Sequence, residues 1–289
     1  MKTILSPVIA GTMNWGIWDK NLNTTQMSNL IQVFIENKVS SFDLADIYGG
    51  YTTEASFGKA LEKSKADRTK LQLISKCGIQ YVVEARDNKI KHYQYDKDYI
   101  IWSVEQSLKN LHTDYLDILL LHRPSPLMEA DEIAEAVARL KKDGKIRDFG
   151  LSNFTSSQTE LIRSKTQVDY NQIQFSATNH EAMTDGSFDY MQIHNIRPMA
   201  WNPLGSVFRE NTSQTRRLKE LLANLVQKYG FGSDTILLAW ILKHPAKIIP
   251  IVGTVNVARI QNLQKATRLE LDKEDWFAIW TESMGHRVP

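Results

Sequence analysis

The chain has a single cysteine, Cys77, among 289 residues. That excludes an internal disulfide framework and any metal site built from several thiolates. An excess of one charge is also missing. The 35 lysines and arginines nearly balance 33 aspartates and glutamates, so no global field draws nucleic acid or a membrane surface, and neither is expected as a partner. No apolar run approaches a membrane span. The first ten residues carry one lysine and too short an apolar stretch for a secretory leader. A cytoplasmic location is the expectation. The Gly-rich fingerprint of a doubly wound nucleotide-binding sheet is absent too. The turn after the first strand-like run reads Gly11-Thr12-Met13-Asn14-Trp15-Gly16, without the GxGxxG spacing. Linkers, low-complexity tracts and charge runs are likewise missing, so residues 1–289 read as one domain. What is present in quantity is core material: 42% of residues are hydrophobic and 24% charged, the balance of an ordinary globular protein.

That material is arranged as a repeat of pattern. Short strand-like runs at Val8–Gly11, Ser41–Ala45, Leu71–Cys77 and Tyr115–His122 are followed by helices over Thr24–Lys38, Thr53–Lys63, Lys97–Leu111 and Ala130–Lys142. In the first helix Met27, Leu30, Ile31, Phe34 and Ile35 recur at helical spacing. The fourth ends at Asp143-Gly144, with glycine as its stop signal. Further runs at Ile146–Ser152, Asp169–Gln174, Arg197–Trp201 and Lys247–Val252 alternate with helices at Thr155–Lys165, Ser187–Asn195, and Thr215–Lys228 with Ser233–Lys243. Runs such as Ile118–Leu121 are apolar on both faces, as parallel strands covered by helices must be. Eight such units in about 250 residues fit a TIM (β/α)8 barrel. Two extra helices, Val257–Thr267 and Asp272–Ser283, close the chain. The long loops, 78–96 and 202–214, are expected to carry substrate contacts.

In such a barrel chemistry gathers at the C-terminal ends of the strands, and those ends are polar here. The second run carries Asp43, with Tyr48 five residues on; if Asp43 points into the interior, strand alternation turns Ser41 and Ala45 inward with it. A buried acid needs a cation. The third run ends at Ser75-Lys76-Cys77, the fourth at His122, and the fifth at Ser152-Asn153; the sixth carries Asn171-Gln172, and the seventh ends at Trp201. Each has an ordinary reading alone: a rim lysine, a core histidine, a helix cap, a packed tryptophan. Together they converge on one mouth. Lys76 supplies the cation for Asp43 and would lower the pKa of the Tyr48 phenol. A Tyr-Lys-Asp-His group without a nucleophile or metal suits carbonyl reduction, with hydride from a cofactor and a proton from tyrosine. Cys77, by alternation, faces the helices as a small hydrophobe. Trp15 and Trp18 are read as pocket walls, and His92, Tyr93 and Tyr95 as either substrate contacts or surface.

The same residues resemble the aldo-keto reductase family. The spacing of Asp43 and Tyr48, Ser75-Lys76, the segment Leu120–Pro124, Gly150–Phe154 with Leu151 in place of valine, and Asn171-Gln172 match its motifs in order, from Gly11 to about Leu263. The resemblance implies that Tyr48 is the general acid, that Lys76 and Asp43 tune it, and that His122 orients the carbonyl. It implies NADPH/NADP+ extended across the mouth. Ser152, Asn153 and Gln172 would hold the carboxamide, Trp201 would stack on the nicotinamide, and Gly11, Thr12 and Met13 would line its ribose. Asn202, Leu204 and Gly205 would lie along the cofactor. Gly253, Thr254 and Arg259 would receive the 2′-phosphate, and Asn262 would lie near the adenine. Two positions depart from the family: Gly253 stands where many members have a lysine, and Asn262 where Glu or Gln is common. The substrate is expected to be a small carbonyl compound, and a monomer is the family default. A cofactor-sensing subunit of a membrane channel is a rival reading, because such relatives keep the same four residues. A phosphate-binding barrel isomerase is another, opposed by Trp201 where a phosphate loop needs glycine.

Overall fold

The side-chain alternation along each strand builds two apolar layers. In this computed structural model, which describes residues 2–84 and 86–288, the chain runs β1 (Ile9–Gly11), α1 (Thr24–Glu36), β2 (Ser41–Asp43), a tight helical turn α2 (Tyr48–Tyr51) and α3 (Thr53–Ser64). It continues through β3 (Gln72–Cys77), β4 (Ile79–Gln80), β5 (His92–Tyr93), α4 (Lys97–Leu111), β6 (Leu116–Leu121), α5 (Ala130–Lys142), β7 (Ile146–Ser152) and α6 (Ser156–Arg163). Then follow β8 (Tyr170–Gln174), α7 (Ser187–Ile193), β9 (Arg197–Trp201), α8 (Ser213–Tyr229), α9 (Ser233–Leu242), β10 (Ile249–Val252), α10 (Val257–Ala266) and α11 (Lys273–Met284).

Eight strands close a barrel in the order β1-β10-β9-β8-β7-β6-β3-β2, and the pairings are parallel. Ile9, Ile74, Ile118, Leu120, Tyr170, Met199, Ile249 and Ile251 fill the barrel. Their neighbours Phe42, Leu73, Leu119, Leu121, Phe149 and Leu151 pack outward against the helices. The unbroken apolar run of β6 is thus two alternating sets, one for each layer. The expected (β/α)8 barrel with two closing helices, α10 and α11, is the architecture observed.

At the N-terminal end of the barrel, buried Asp117 takes Arg68 at 2.9 Å and Arg147 at 3.1 Å and accepts from the Leu73 amide. This ties β3, β6 and β7 together on the face opposite the site. Gly58 lets α3 meet α4: a Cβ there would sit 2.1 Å from the Asn110 carbonyl oxygen.

Three features differ from the reading of the sequence. Loop 78–96 contains an antiparallel ribbon, with Ile79 opposite Tyr93 and Gln80 opposite His92. Helix α8 starts at Ser213 because Thr212 caps it, accepting from the Thr215 amide. Trp15 is not a pocket wall. It is fully buried among Phe34, Phe42 and Phe57.

Candidate active site

The inward frame of β2 and β3 places Asp43 and Lys76 face to face at the barrel mouth. Lys76 Nζ lies 2.8 Å from each carboxylate oxygen of Asp43. It also donates to the Leu44 carbonyl at 2.7 Å and to Tyr48 Oη at 3.0 Å. All three acceptors come from one stretch of chain. Asp46 N donates back to the Lys76 carbonyl at 3.0 Å, which keeps that stretch beside β3. Gly49 and Gly50 then take φ of +60° and +63°, left-handed values that glycine adopts freely, and the chain folds Tyr48 back over the lysine. The fourth residue, His122, follows β6. Its ring stands edge-on to Tyr48 with centroids 6.0 Å apart. The four residues that the sequence placed at one mouth are therefore brought together.

Burial governs the electrostatics. It is the largest influence on Tyr48 and raises the phenol above its ordinary value; the Lys76 charge pulls it down, and Asp43 pushes it up. The expected lowering by Lys76 is present, but it does not win. Burial also works hardest on Lys76, in the downward direction, yet the charges of Asp43 and Tyr48 and their hydrogen bonds outweigh it, and the ammonium is held above its usual range. His122 is pushed well below the ordinary imidazole value by burial first, then by Lys76, Arg123 and Lys91. It is neutral at pH 7, and its buried Nδ1 has no hydrogen-bond partner among the described residues. The mouth therefore holds a protonated phenol, a cation touching it, and a neutral imidazole across from it.

Gln172 was expected at a nicotinamide carboxamide; here its amide donates to Asp43 at 2.7 Å. Ser152 Oγ bonds the Gln172 carbonyl at 3.1 Å. Asn153, at φ +63°, donates to Ser152 Oγ at 2.8 Å and accepts from Trp201 Nε1 at 2.9 Å. These four side chains form one polar ridge from β7 to β9. Thr12 closes the other side, with its amide and hydroxyl both 3.0 Å from the Asp43 carbonyl oxygen; Met13 beyond it is exposed. Gly11 pairs with Asp43 across β1 and β2.

After β9, Asn202 and Gly205 both adopt left-handed φ, and Arg209 bonds Asn202 Oδ1 and the Gly205 carbonyl. Any side chain at Gly205 would run into Thr178, whose Oγ1 would lie 2.0 Å from a Cβ. Leu204 between them is half-buried. After β10, Gly253 is exposed and Thr254 half-buried, Arg259 stands exposed in the first turn of α10, and Asn262 is half-buried further along it.

Trp18 stands edge-on to Tyr48 at 6.2 Å and next to Tyr81 at 6.4 Å. Tyr95 is buried, with its hydroxyl on the backbone of Arg123. His92 is exposed and Tyr93 half-buried. Cys77 faces the helix layer as expected. Beside it is a pair that the sequence reading passed over, Asp46 and Glu54, both buried. Burial, with the neighbouring Glu54 charge second, raises Asp46 to about 8. Burial also raises Glu54, whose carboxylate accepts from Ser75 Oγ at 2.5 Å. Their signal was the clustering of acids beside Asp43, but nothing in the spacing said that they face the helices. Among the described residues no cluster of His, Cys, Asp or Glu is placed to hold a metal, and no helix is long and apolar enough to cross a membrane.

A parallel barrel with a Tyr-Lys-Asp-His group at the C-terminal mouth defines a class of acid–base oxidoreductase, and comparison with known proteins agrees. The sequence profile described as the Aldo/keto reductase family matches residues 7–281. The chain is 42% identical over 283 residues to an uncharacterized oxidoreductase, YcsN, of Bacillus subtilis, covering 95% of this chain and 94% of that one. It is 34% identical over 283 residues to a 6-dehydroglucose reductase of Agrobacterium fabrum, covering 95% and 94%. Among solved structures, the thermostable aldo-keto reductase Tm1743 in complex with the inhibitor epalrestat superposes with a TM-score of 0.81 at 25% identity, covering 98% of this chain and 99% of that one. The chain belongs to the Aldo/keto reductase family. Carbonyl reduction with a nicotinamide cofactor is the general chemistry of that family.

Proposed function

We propose that the protein reduces an aldehyde or ketone to an alcohol with NADPH, and that Tyr48 delivers the proton. The observation that carries this reading is the fully buried Lys76 ammonium, 3.0 Å from Tyr48 Oη and held from behind by Asp43. A structural tyrosine has no need of a buried cation, whose desolvation is costly. A tyrosine that must become a phenolate does.

The residues fit an extended dinucleotide phosphate. Trp201 offers a partly exposed ring at the mouth, and Ser152 and Asn153 offer polar groups beside it. Gly11, Thr12 and Met13 lie opposite, and Gln172 lies within reach of both the ridge and Asp43. The bend at Asn202, Leu204 and Gly205 would follow the cofactor outward. Gly253, Thr254, Arg259 and Asn262 would take the adenosine end, with Arg259 forking to the 2′-phosphate. When bound, the nicotinamide supplies the hydride.

The chain's own residues supply the rest. The neutral His122 imidazole donates a hydrogen bond to the substrate oxygen and fixes its direction. Tyr48 passes its proton to that oxygen as negative charge develops there. The phenolate left behind is held by Lys76, which Asp43 keeps charged and in place. In the reverse direction the same phenolate takes the proton of the alcohol. We read residues 1–289 as one domain acting in the cytoplasm on a small carbonyl compound.

The test is NADPH oxidation against a panel of aldehydes, ketones and sugars, together with Tyr48→Phe. The variant keeps two of the three Lys76 acceptors, so the fold survives. We expect turnover to drop by about 10²–10⁴-fold with NADPH affinity nearly unchanged. Retention of more than roughly a tenth of the activity contradicts a positioned general acid. Failure of the wild type to turn over any carbonyl would favour the cofactor-sensing reading.

A further inference from the structure

Arg123 follows His122 directly, and the proposed chemistry does not use it. Its backbone is fixed from two sides by buried Tyr95, whose hydroxyl accepts from Arg123 N at 3.0 Å and donates to its carbonyl oxygen. Tyr95 reaches there only because residue 78 is glycine: a Cβ at Gly78 would lie 2.0 Å from the tyrosine ring. The Arg123 guanidinium leans toward Trp201, 5.8 Å from its ring centroid, within cation–π reach, and the residue is half-buried. No ion pair among the described residues includes Arg123. A half-buried guanidinium on a fixed backbone, just past β6 and next to His122, is an anion receptor in want of an anion.

We propose that the substrate carries a carboxylate, bound by Arg123, and that its body lies against Trp18 and Tyr81. This rests on the reductase reading for the role of the aldehyde and not for the recognition of the carboxylate. The cofactor's own phosphates are assigned to the ends of β9 and β10. Arg123 lies two residues past β6, next to His122 at the mouth, which is where substrate belongs. The Trp18 ring beside Tyr48 and the Tyr81 ring beside Trp18 offer flat apolar faces, suited to a planar or short carbon body between the carbonyl and the acid.

The experiment uses one pair of probes that differ at the carboxyl group alone, 4-carboxybenzaldehyde and its uncharged methyl ester. With NADPH, kcat/KM of the wild type for the acid should exceed that for the ester by about tenfold, the scale of one charge-assisted contact. In Arg123→Gln the acid-to-ester ratio should fall by about tenfold, with the change carried mainly by KM and reduced in the wild type by added salt. An equal ratio in the wild type, or a variant that slows both aldehydes alike, overturns the proposal. So does a parallel loss of NADPH affinity, which would make Arg123 a cofactor residue. A second arm needs no turnover: calorimetric titration of 4-(hydroxymethyl)benzoate and its methyl ester into the NADP+-loaded protein. Tighter binding of the acid, lost in Arg123→Gln, supports the carboxylate site even in a protein that reduces neither aldehyde. Equal binding of acid and ester overturns it.

Discussion

Replacing Lys76 with methionine removes the charge at the centre of the site and keeps a long unbranched side chain in its channel. The ammonium is fully buried and serves Asp43, the Leu44 carbonyl and Tyr48 at 2.8, 2.7 and 3.0 Å. Two losses follow, and they are read by different instruments. Asp43 keeps the Gln172 amide, at 2.7 Å, but a buried carboxylate stripped of its cation costs about 3–5 kcal/mol. A protein of this size should then melt roughly 10 °C lower.

The second loss falls on Tyr48. Its phenol already stands above the usual value because it is buried, and the Lys76 charge is the chief influence opposing that rise. At about 3 Å and an effective dielectric near 20, that attraction is about 5 kcal/mol. Proton uptake by Asp43 returns part of it. The sign is fixed: without the cation less phenolate exists at any given pH, so the basic limb of the alcohol-oxidation profile moves to higher pH, by more than about one unit. Initial rates of NADP+ reduction across neutral and alkaline pH measure this, with a deuterated alcohol to confirm that hydride transfer limits the rate. A lowered melting point with an unmoved limb and a full isotope effect would leave Lys76 as a structural ion pair and refute its coupling to Tyr48.

The remaining predictions concern the rim and the layer behind the site. Arg259→Ala should weaken NADPH binding by about tenfold or more and barely affect NADH, because Gly253 supplies no second cation; equal losses for the two cofactors would assign Arg259 to fold stability. Asp46 holds its proton up to about 8 in the folded protein and loses it near 4 when unfolded. Between those values the folded state binds more protons, so stability falls as pH rises, by at most about 1.4 kcal/mol per pH unit from this group. Asp46→Asn should flatten that decline, and urea midpoints at about pH 5 and pH 8 should differ less than in the wild type; an unchanged difference would show that Asp46 does not hold a proton there.

The barrel was legible because two signals coincide in it. Helix α4 and strands β7 and β9 fall where alternation and flanking turn residues place them, at Lys97–Leu111, Ile146–Ser152 and Arg197–Trp201. The ribbon of β4 and β5 was not legible. Two-residue strands carry no period, and their pairing rests on contacts that spacing does not reveal: the Tyr51 hydroxyl bridges the Ile79 carbonyl and the Tyr81 amide, each at 2.9 Å. Trp15 and Trp18 look alike in sequence, both just past β1. One turns into the cluster of Phe34, Phe42 and Phe57 while the other stands over Tyr48, and only the packed fold separates them.

The candidate site shows where such reading stops. Strand ends named Asp43, Tyr48, Lys76 and His122 because a barrel delivers inward residues to one mouth, whatever their separation in the chain. Charge arithmetic then gave the sign of each pair: Lys76 does pull the Tyr48 phenol down. What it did not contain is the water removed from around them, and that is the larger influence on Tyr48 and His122 alike. The same limit hid Asp46 and Glu54, whose carboxyls are raised by depth and not by sequence position. Arg123 is the converse case. As a letter between histidine and proline it is an unremarkable surface residue. It acquires meaning only when Gly78 is seen to admit Tyr95, Tyr95 to fix the backbone of Arg123, and the guanidinium to stand against Trp201 with no ion-pair partner among the described residues.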